Sequence, residues 1–305
     1  MNSNEKNEMK SVSLSGACNE WGAIEKVAIR GVEAAFESEN RIERDWQALR
    51  FHAKPDFEIA KSEYQEFKNL VCSNGAEAIL LGPNEALTLD SIYPRDAMVL
   101  SPQGLILCRM GRVSREKEPK LNSETLKTEG YSVLGTIQNP GTLEGGDFIW
   151  LDEHHAAVGL GPRTNEAGIA QLKALLGEQV DLHVVPLPAP EHPEDVFHLM
   201  SMISPLDQDL ALIYRPLMPE SFLSWLESLG IKFVEVSEAE FMPMGCNVLA
   251  IAPRQVIMLA GLPETKQRLQ KAGCKVLAYK GDEISRKGEG GPTCLTRPLV
   301  RSRLS

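Results

Sequence analysis

The sequence predicts an α/β fold in which five ββαβ units close into one ring. Three observations carry that expectation. A pair of short apolar strands, then a helix, then another strand recurs about every fifty residues. The copies starting at HLMSMIS and at CNVLAIA match almost element for element. An incomplete copy opens the chain, and CLTRPLV after residue 293 can supply its missing strand, so that the two ends meet in one unit. An ordinary sheet of alternating strands and helices would also read as α/β, but such sheets rarely place a hairpin before each helix.

In chain order, EKVAIRG reads as a strand, DFEIAKSEYQEFKNLVCSNG as a helix and AEAILLG as the strand after it. AMVLSPQGLILC (97–108) reads as a hairpin, Asn122 to Glu129 as a short helix and YSVLGTI as a strand. DFIWLDEHHAAVGL is a hairpin turning at DEHH, TNEAGIAQLKALLG has helical periodicity ending at Gly177, and VDLHVVPL is a strand. The fourth unit runs HLMSMISPLDQDLALIY, PESFLSWLESLG, IKFVEVS, and the fifth CNVLAIAPRQVIMLAG, PETKQRLQKAG, CKVLAYKG. Residues 1–19 are expected to form a flexible segment and 20–300 one catalytic domain.

Composition narrows the function. Apolar residues make up 43% and charged residues 24%, near the globular norm, and no apolar run reaches the roughly 20 residues of a membrane span. The start, MNSNEKNEMKSVS, is too polar for a secretory signal, so a cytoplasmic location is expected. A net charge of −10 disfavours nucleic acid and anionic lipid and suits a small cationic substrate. The six cysteines include no CxxC pair, which argues against a zinc cluster or a disulfide framework.

In a ring, equivalent positions at the start of each unit face the axis. Asp96, Asp147, His198, Asn247 and Cys294 occupy such positions at steps of 51, 51, 49 and 47 residues, with Glu144 beside Asp147 in EGGD. Together they bring to one place a nucleophile, a proton carrier and acids able to hold a cation. Taken singly, the cysteine could be a small buried hydrophobe, the histidine a satisfied structural group and EGGD an ordinary turn; the periodic placement favours chemistry. GEGGPT lacks the GK[ST] ending of a phosphate loop, and His154-His155 falls at a predicted hairpin tip, where a solvated turn is the simpler reading than a metal site.

The ordered motifs NEWG, DSIYPRD, EGGD, GLGPRTN, FHLMS and a glycine-rich C-terminal cysteine resemble the guanidine-modifying enzymes of the pentein superfamily over nearly the whole chain. That superfamily contains dimethylarginine dimethylaminohydrolase, arginine deiminase and amidinotransferases. The resemblance implies a five-bladed ββαβ propeller with an arginine-like guanidinium held at its axis. Cys294 would be the nucleophile, and His198 would protonate the departing amine and then activate water. Glu144 would hold both His198 and the guanidinium, Asp96 and Asp90 would bind the guanidinium, and Arg115 and Arg163 would bind the substrate carboxylate. The implied reaction gives a ureido product with no metal or organic cofactor; transfer of the amidino group to a second amine is the alternative. A small guanidino molecule is thus the expected partner, with neither nucleic acid nor membrane, and a homo-oligomer stays open.

The match departs from the family in three places. Met200 stands where arginine deiminases and glycine amidinotransferase carry an acid two residues after the histidine, which points away from unsubstituted arginine. Arg95 stands where the methylated-arginine hydrolases have an acid. PRD and NEWG are nearer the deiminase and amidinotransferase patterns.

Overall fold

The computed structural model describes residues 18–189 and 197–302. The expected flexible segment therefore lies outside the described residues except for its last two positions. Each repeat unit forms its own three-stranded sheet, and there are five of them, so a single doubly wound sheet is excluded.

The first blade holds β1 (Ile24–Ile29) and, parallel to it, β2 (Glu77–Leu80), joined through the helix Phe57–Val71. The second holds β3 (Met98–Ser101), β4 (Gly104–Leu107) and β5 (Val133–Thr136); the third holds β6 (Phe148–Trp150), β7 (His155–Leu160) and β8 (Asp181–Pro186). The fourth is β9 (Ile203–Asp207), β10 (Leu210–Ile213) and β11 (Lys232–Glu235), and the fifth β12 (Leu249–Ala252), β13 (Gln255–Leu259) and β14 (Lys275–Tyr279). The last strand, β15 (Arg297–Arg301), returns to blade one and pairs antiparallel with β1, Ile24 opposite Arg301 and Ala28 opposite Arg297. The closing strand expected from CLTRPLV is thus in place.

Burial explains why the strands read as they do. β3, β4 and β10 are buried at every residue, so both faces need apolar side chains and the sequence is a continuous run. The third strand of each blade is only partly covered, as in β2 and β11, and accordingly mixes Glu and Lys with its apolar residues. Asn165 caps the third-blade helix by accepting from Gly168 N at 2.8 Å, and Gly177, at φ +85°, ends it where expected. The second-blade helix is longer than expected: Pro119, an acceptable first-turn residue, lets it start at Glu118 rather than Asn122. At the DEHH turn, Asp152 accepts from His154 N and His155 N, which makes that histidine pair part of a turn.

Under the axis lies a buried ion cluster that sequence reading did not reveal. Arg95 Nη1 meets both oxygens of Glu20 at 3.2 and 3.1 Å, and Arg297 and Arg301 each come within 3.9 Å of the same carboxylate. All four residues are buried. Burial would raise the Glu20 pKa, but the three guanidiniums hold it below the usual carboxylate value. Arg297 falls to about 9 because it is buried and crowded by Arg95. The arginines also donate to backbone carbonyls of separate blades: Arg297 to Met98, Arg301 to Ala250 and Gly22.

Candidate active site

The axial residues sit on the turns that precede the first strand of each blade. The turn Pro94–Ala97 carries Asp96 into β3, Gly145–Asp147 leads from Glu144 into β6, and Leu199–Ser201 follows His198 into β9. Asn247 lies just before β12 and Cys294 just before β15. Positions some fifty residues apart in sequence are therefore neighbours.

Glu144 and His198 form the centre of the site. His198 Nε2 lies 2.8 Å from Glu144 Oε2, and its Nδ1 lies 3.9 Å from Asp96 Oδ1. Glu144 Oε1 accepts from Gly111 N at 2.9 Å and faces Arg163 Nη1 at 3.4 Å. Asp147, the second acid of EGGD, serves the scaffold instead. It accepts from Thr164 Oγ1 at 2.6 Å and from Leu199 N at 3.0 Å, fixing the turn that carries His198. Burial raises Asp147 to about 6. Gly146 must stay bare, since a Cβ there would come within 2.7 Å of both Asp96 Oδ1 and His198 Nδ1.

The electrostatics favour an imidazolium. Burial would lower the His198 pKa, but Asp96, Asp147 and Glu144 raise it to about 9. Burial would raise Glu144, yet its bond to His198 and the charges of Arg163 and Arg115 bring it to about 2. A ring whose folded pKa exceeds its unfolded value, about 6.5, adds stability that is complete below that value and lost as pH rises through about 9. An NMR titration of the His198 ring nitrogens should accordingly show a doubly protonated ring at neutral pH and a midpoint near 9. A midpoint at or below the free value would refute the assignment. The stability decline between pH 7 and 9 should flatten in His198→Asn.

Cys294 is partly exposed beside this pair. Asn247 Nδ2 approaches its Sγ at 3.4 Å, while Asn247 Oδ1 accepts from Thr293 N at 3.1 Å and Thr293 Oγ1 at 2.8 Å. Arg95 holds the same segment from below, Nε donating to Thr293 O at 3.2 Å and its backbone N to Cys294 O at 3.4 Å. Burial and the Asp96 charge raise the thiol pKa, against the lowering effect of Asn247 and Thr293. A cation bound by Asp96 would remove part of that penalty and favour the thiolate. GEGG lets the chain pass close over the Tyr93 ring, because a Cβ on Gly290 would overlap it.

The remaining expected residues are brought to the same place, with partners of their own. Arg115 donates Nε and Nη2 to Glu118 at 2.8 Å each, Nη1 to Asp96 at 2.6 Å and Nη2 to Tyr93 O at 2.8 Å. A guanidinium has five N–H groups, and Arg115 spends most of them on Glu118, Asp96 and the Tyr93 carbonyl. Asp90 is paired with Arg112 at 3.0 Å, and burial raises its pKa. Arg112, Asn247 and Arg95 were missed as site residues. Asn247 had a signal in its periodic position and Arg95 in standing where the methylated-arginine hydrolases have an acid, while Arg112 had none.

Asp96, Glu144 and His198 offer ligand atoms within 4.8 Å of one another, the one such group for a metal ion among the described residues. Arg115 and His198 already neutralise its two carboxylates, and those acids present acceptors in the manner that suits a planar cation with N–H edges.

A closed ring of five ββαβ blades with its reactive side chains on the blade-opening turns is the pentein architecture, and the chain is a guanidine-modifying enzyme of that class. The family model described as "N,N dimethylarginine dimethylhydrolase, eukaryotic" matches residues 31–301, and the chain belongs to that family. It is 27% identical to the N(G),N(G)-dimethylarginine dimethylaminohydrolase of Pseudomonas aeruginosa over 244 residues, 80% of this chain and 89% of the relative. With the enzyme of that name from Streptomyces coelicolor it shares 28% over 243 residues, 80% of this chain and 87% of the other. A solved structure of the P. aeruginosa enzyme, a cysteine-to-serine mutant complexed with citrulline, superposes with TM-score 0.71 at 25% identity, covering 90% of this chain and 98% of that one. An amidinotransferase from Microseira wollei superposes at TM-score 0.77 with 17% identity, covering 95% and 98%, a likeness of fold.

Proposed function

We propose that the protein hydrolyses the guanidinium of arginine or an Nω-methylated arginine through a covalent Cys294 intermediate, giving citrulline and an amine. The observation that carries this reading is the convergence of Cys294, His198, Glu144 and Asp96 in a chain of the dimethylarginine hydrolase family.

The chemistry follows from the geometry. The substrate cation settles against Asp96 and Glu144, offsetting their charge and releasing the Cys294 proton. The thiolate attacks the guanidinium carbon. His198, protonated and adjacent, gives its proton to the departing nitrogen, and the C–N bond breaks to leave an amidino-thioether. The ring, now neutral, draws a proton from water as that water attacks the same carbon; the C–S bond then breaks, the remaining hydroxyl proton passing to solvent, which returns the thiolate and a neutral ureido product. Glu144 keeps the imidazole oriented and stabilises its charged form throughout.

The test is a mass-spectrometric assay of purified protein with arginine, monomethylarginine and dimethylarginine, each with and without glycine as acceptor amine. Citrulline from at least one substrate without acceptor is the expected result. Ornithine appearing only with the acceptor would replace hydrolysis with amidino transfer.

A further inference from the structure

Cys294 has to become an anion beside a cationic substrate, and a positively charged donor at its sulfur would hold the thiolate and repel the guanidinium alike. The amide that meets this sulfur is neutral. Asn247 Nδ2 donates to Sγ at 3.4 Å, and the amide can turn no other way. Its Oδ1 accepts from Thr293 N at 3.1 Å and from Thr293 Oγ1 at 2.8 Å; a backbone N–H can only donate, so the oxygen is fixed toward Thr293 and the NH2 toward sulfur. Two hydrogen bonds on that oxygen also polarise the amide and strengthen its N–H groups as donors.

The scaffold keeps the amide in place. Ser204 Oγ donates to Cys246 O at 2.7 Å and accepts from Val248 N at 3.2 Å, which ties down the backbone on both sides of Asn247. Gly291 packs so closely on the amide that a Cβ there would come within 2.4 Å of Asn247 Cγ. Asn247 is itself buried and borders, with Cys294, a cavity of about 300 Å³.

We propose that Asn247 is a catalytic residue of this enzyme: its amide holds the Cys294 sulfur as a thiolate, and Thr293 locks that amide in its donating orientation. The inference rests on Cys294 being the nucleophile of the hydrolase reading and adds the group that stabilises its reactive form. In the thiol, S–H can turn to Thr293 Oγ1, 3.8 Å away, whose own proton is taken by Asn247. Ionisation sends the thiol proton to solvent and leaves the Asn247 N–H on an anion, where a hydrogen bond is roughly twice as strong as between neutral groups. Once sulfur bonds the guanidinium carbon it is a weak acceptor, and the contact returns to full strength as the C–S bond breaks. Asn247 thus favours the two charged states of sulfur over the thioether between them, from a donor set in place beforehand. Burial and the Asp96 charge raise the thiol pKa, and Asn247, Thr293 and a backbone contact from Gly291 lower it.

The test reads the sulfur without substrate. Iodoacetamide is applied at fixed pH and alkylation of the Cys294 peptide is followed by mass spectrometry, which separates it from the other five cysteines. Asn247→Ala should alkylate about tenfold more slowly than the native enzyme, the scale of a hydrogen bond to an ion. Asn247→Asp keeps the acceptor for Thr293 but turns an oxygen toward sulfur, and should be slower still. In Asn247→Ala, kcat/KM for methylarginine should fall by at least the same factor while the His198 midpoint stays near 9. Alkylation within about twofold of native in folded Asn247→Ala overturns the proposal, because lost packing alone slows turnover and leaves the thiolate fraction unchanged. Should that variant not fold, Asn247→Asp decides: a rate equal to or above native overturns it too. Slowed alkylation in the variants with no citrulline from the native enzyme removes the hydrolase reading and leaves the hold of Asn247 on the thiolate standing.

Discussion

Cys294→Ser should lower turnover by about four orders of magnitude or more while the ring stays folded, the scale of removing a covalent nucleophile. A serine hydroxyl fits the same space and can keep the contact from Asn247, which lies 3.4 Å from the sulfur. What it cannot do is ionise. The thiol, already raised by burial and by Asp96, needs only the substrate's charge to become a nucleophile; a hydroxyl starts several pH units further away and has no general base poised for it, because His198 is itself protonated at neutral pH. Quenching the native enzyme during turnover should add an amidino group to the peptide containing Cys294, and the serine variant should show neither adduct nor product. Activity in that variant within about tenfold of native would remove Cys294 from the mechanism.

Glu20→Ala should cost about 3–5 kcal/mol of stability, the usual penalty for deleting one partner of a buried charge cluster. Among the described residues Glu20 is the one carboxylate shared by Arg95, Arg297 and Arg301, all buried. Without it three guanidiniums remain in a site where Arg297 and Arg301 are already pushed down to about 9 and about 10 by burial and mutual repulsion. Against a total stability of about 5–15 kcal/mol, that loss shifts a denaturant midpoint far. The same change frees Arg95, which holds Thr293 and Cys294, so the surviving folded fraction should also turn over more slowly. A stability change under about 1 kcal/mol would mean that the cluster contributes little.

This cluster joins two motifs that look unrelated in sequence. NEWG supplies Glu20 and YPRD supplies Arg95, and their bond at 3.1 Å makes them two halves of one device under the nucleophile. Arg95 is thereby committed to Glu20 and to the backbone of Thr293 and Cys294. Charge character alone could not indicate this, because it is burial that turns two ordinary ionic residues into obligate partners.

Much else was legible. Hairpins of continuous apolar residues marked the buried strand pairs, helix caps at Asn165 and Gly177 marked boundaries, and the fifty-residue period identified the axial positions. From Asp96 through Asp147, His198 and Asn247 to Cys294, all lie on equivalent turns. Even the return of the last strand to the first blade followed from an incomplete opening unit. Local patterning suffices for these features because hydrophobic period and turn chemistry act over short stretches of chain.

What only the tertiary structure decided is which charge meets which. The sequence by itself determined the ring, its period and the convergence of Cys294, His198, Glu144 and Asp96. The folded chain added that Asp147 supports a turn while Glu144 holds the imidazole, that Arg115 chiefly clamps Asp96 and Glu118, and that a cavity of mixed lining, Met200 and Glu289 among its walls, adjoins His198 and Cys294. Pairings and cavities of this kind depend on distances of a few ångströms between segments some fifty residues or more apart, and a one-dimensional pattern holds no such distances.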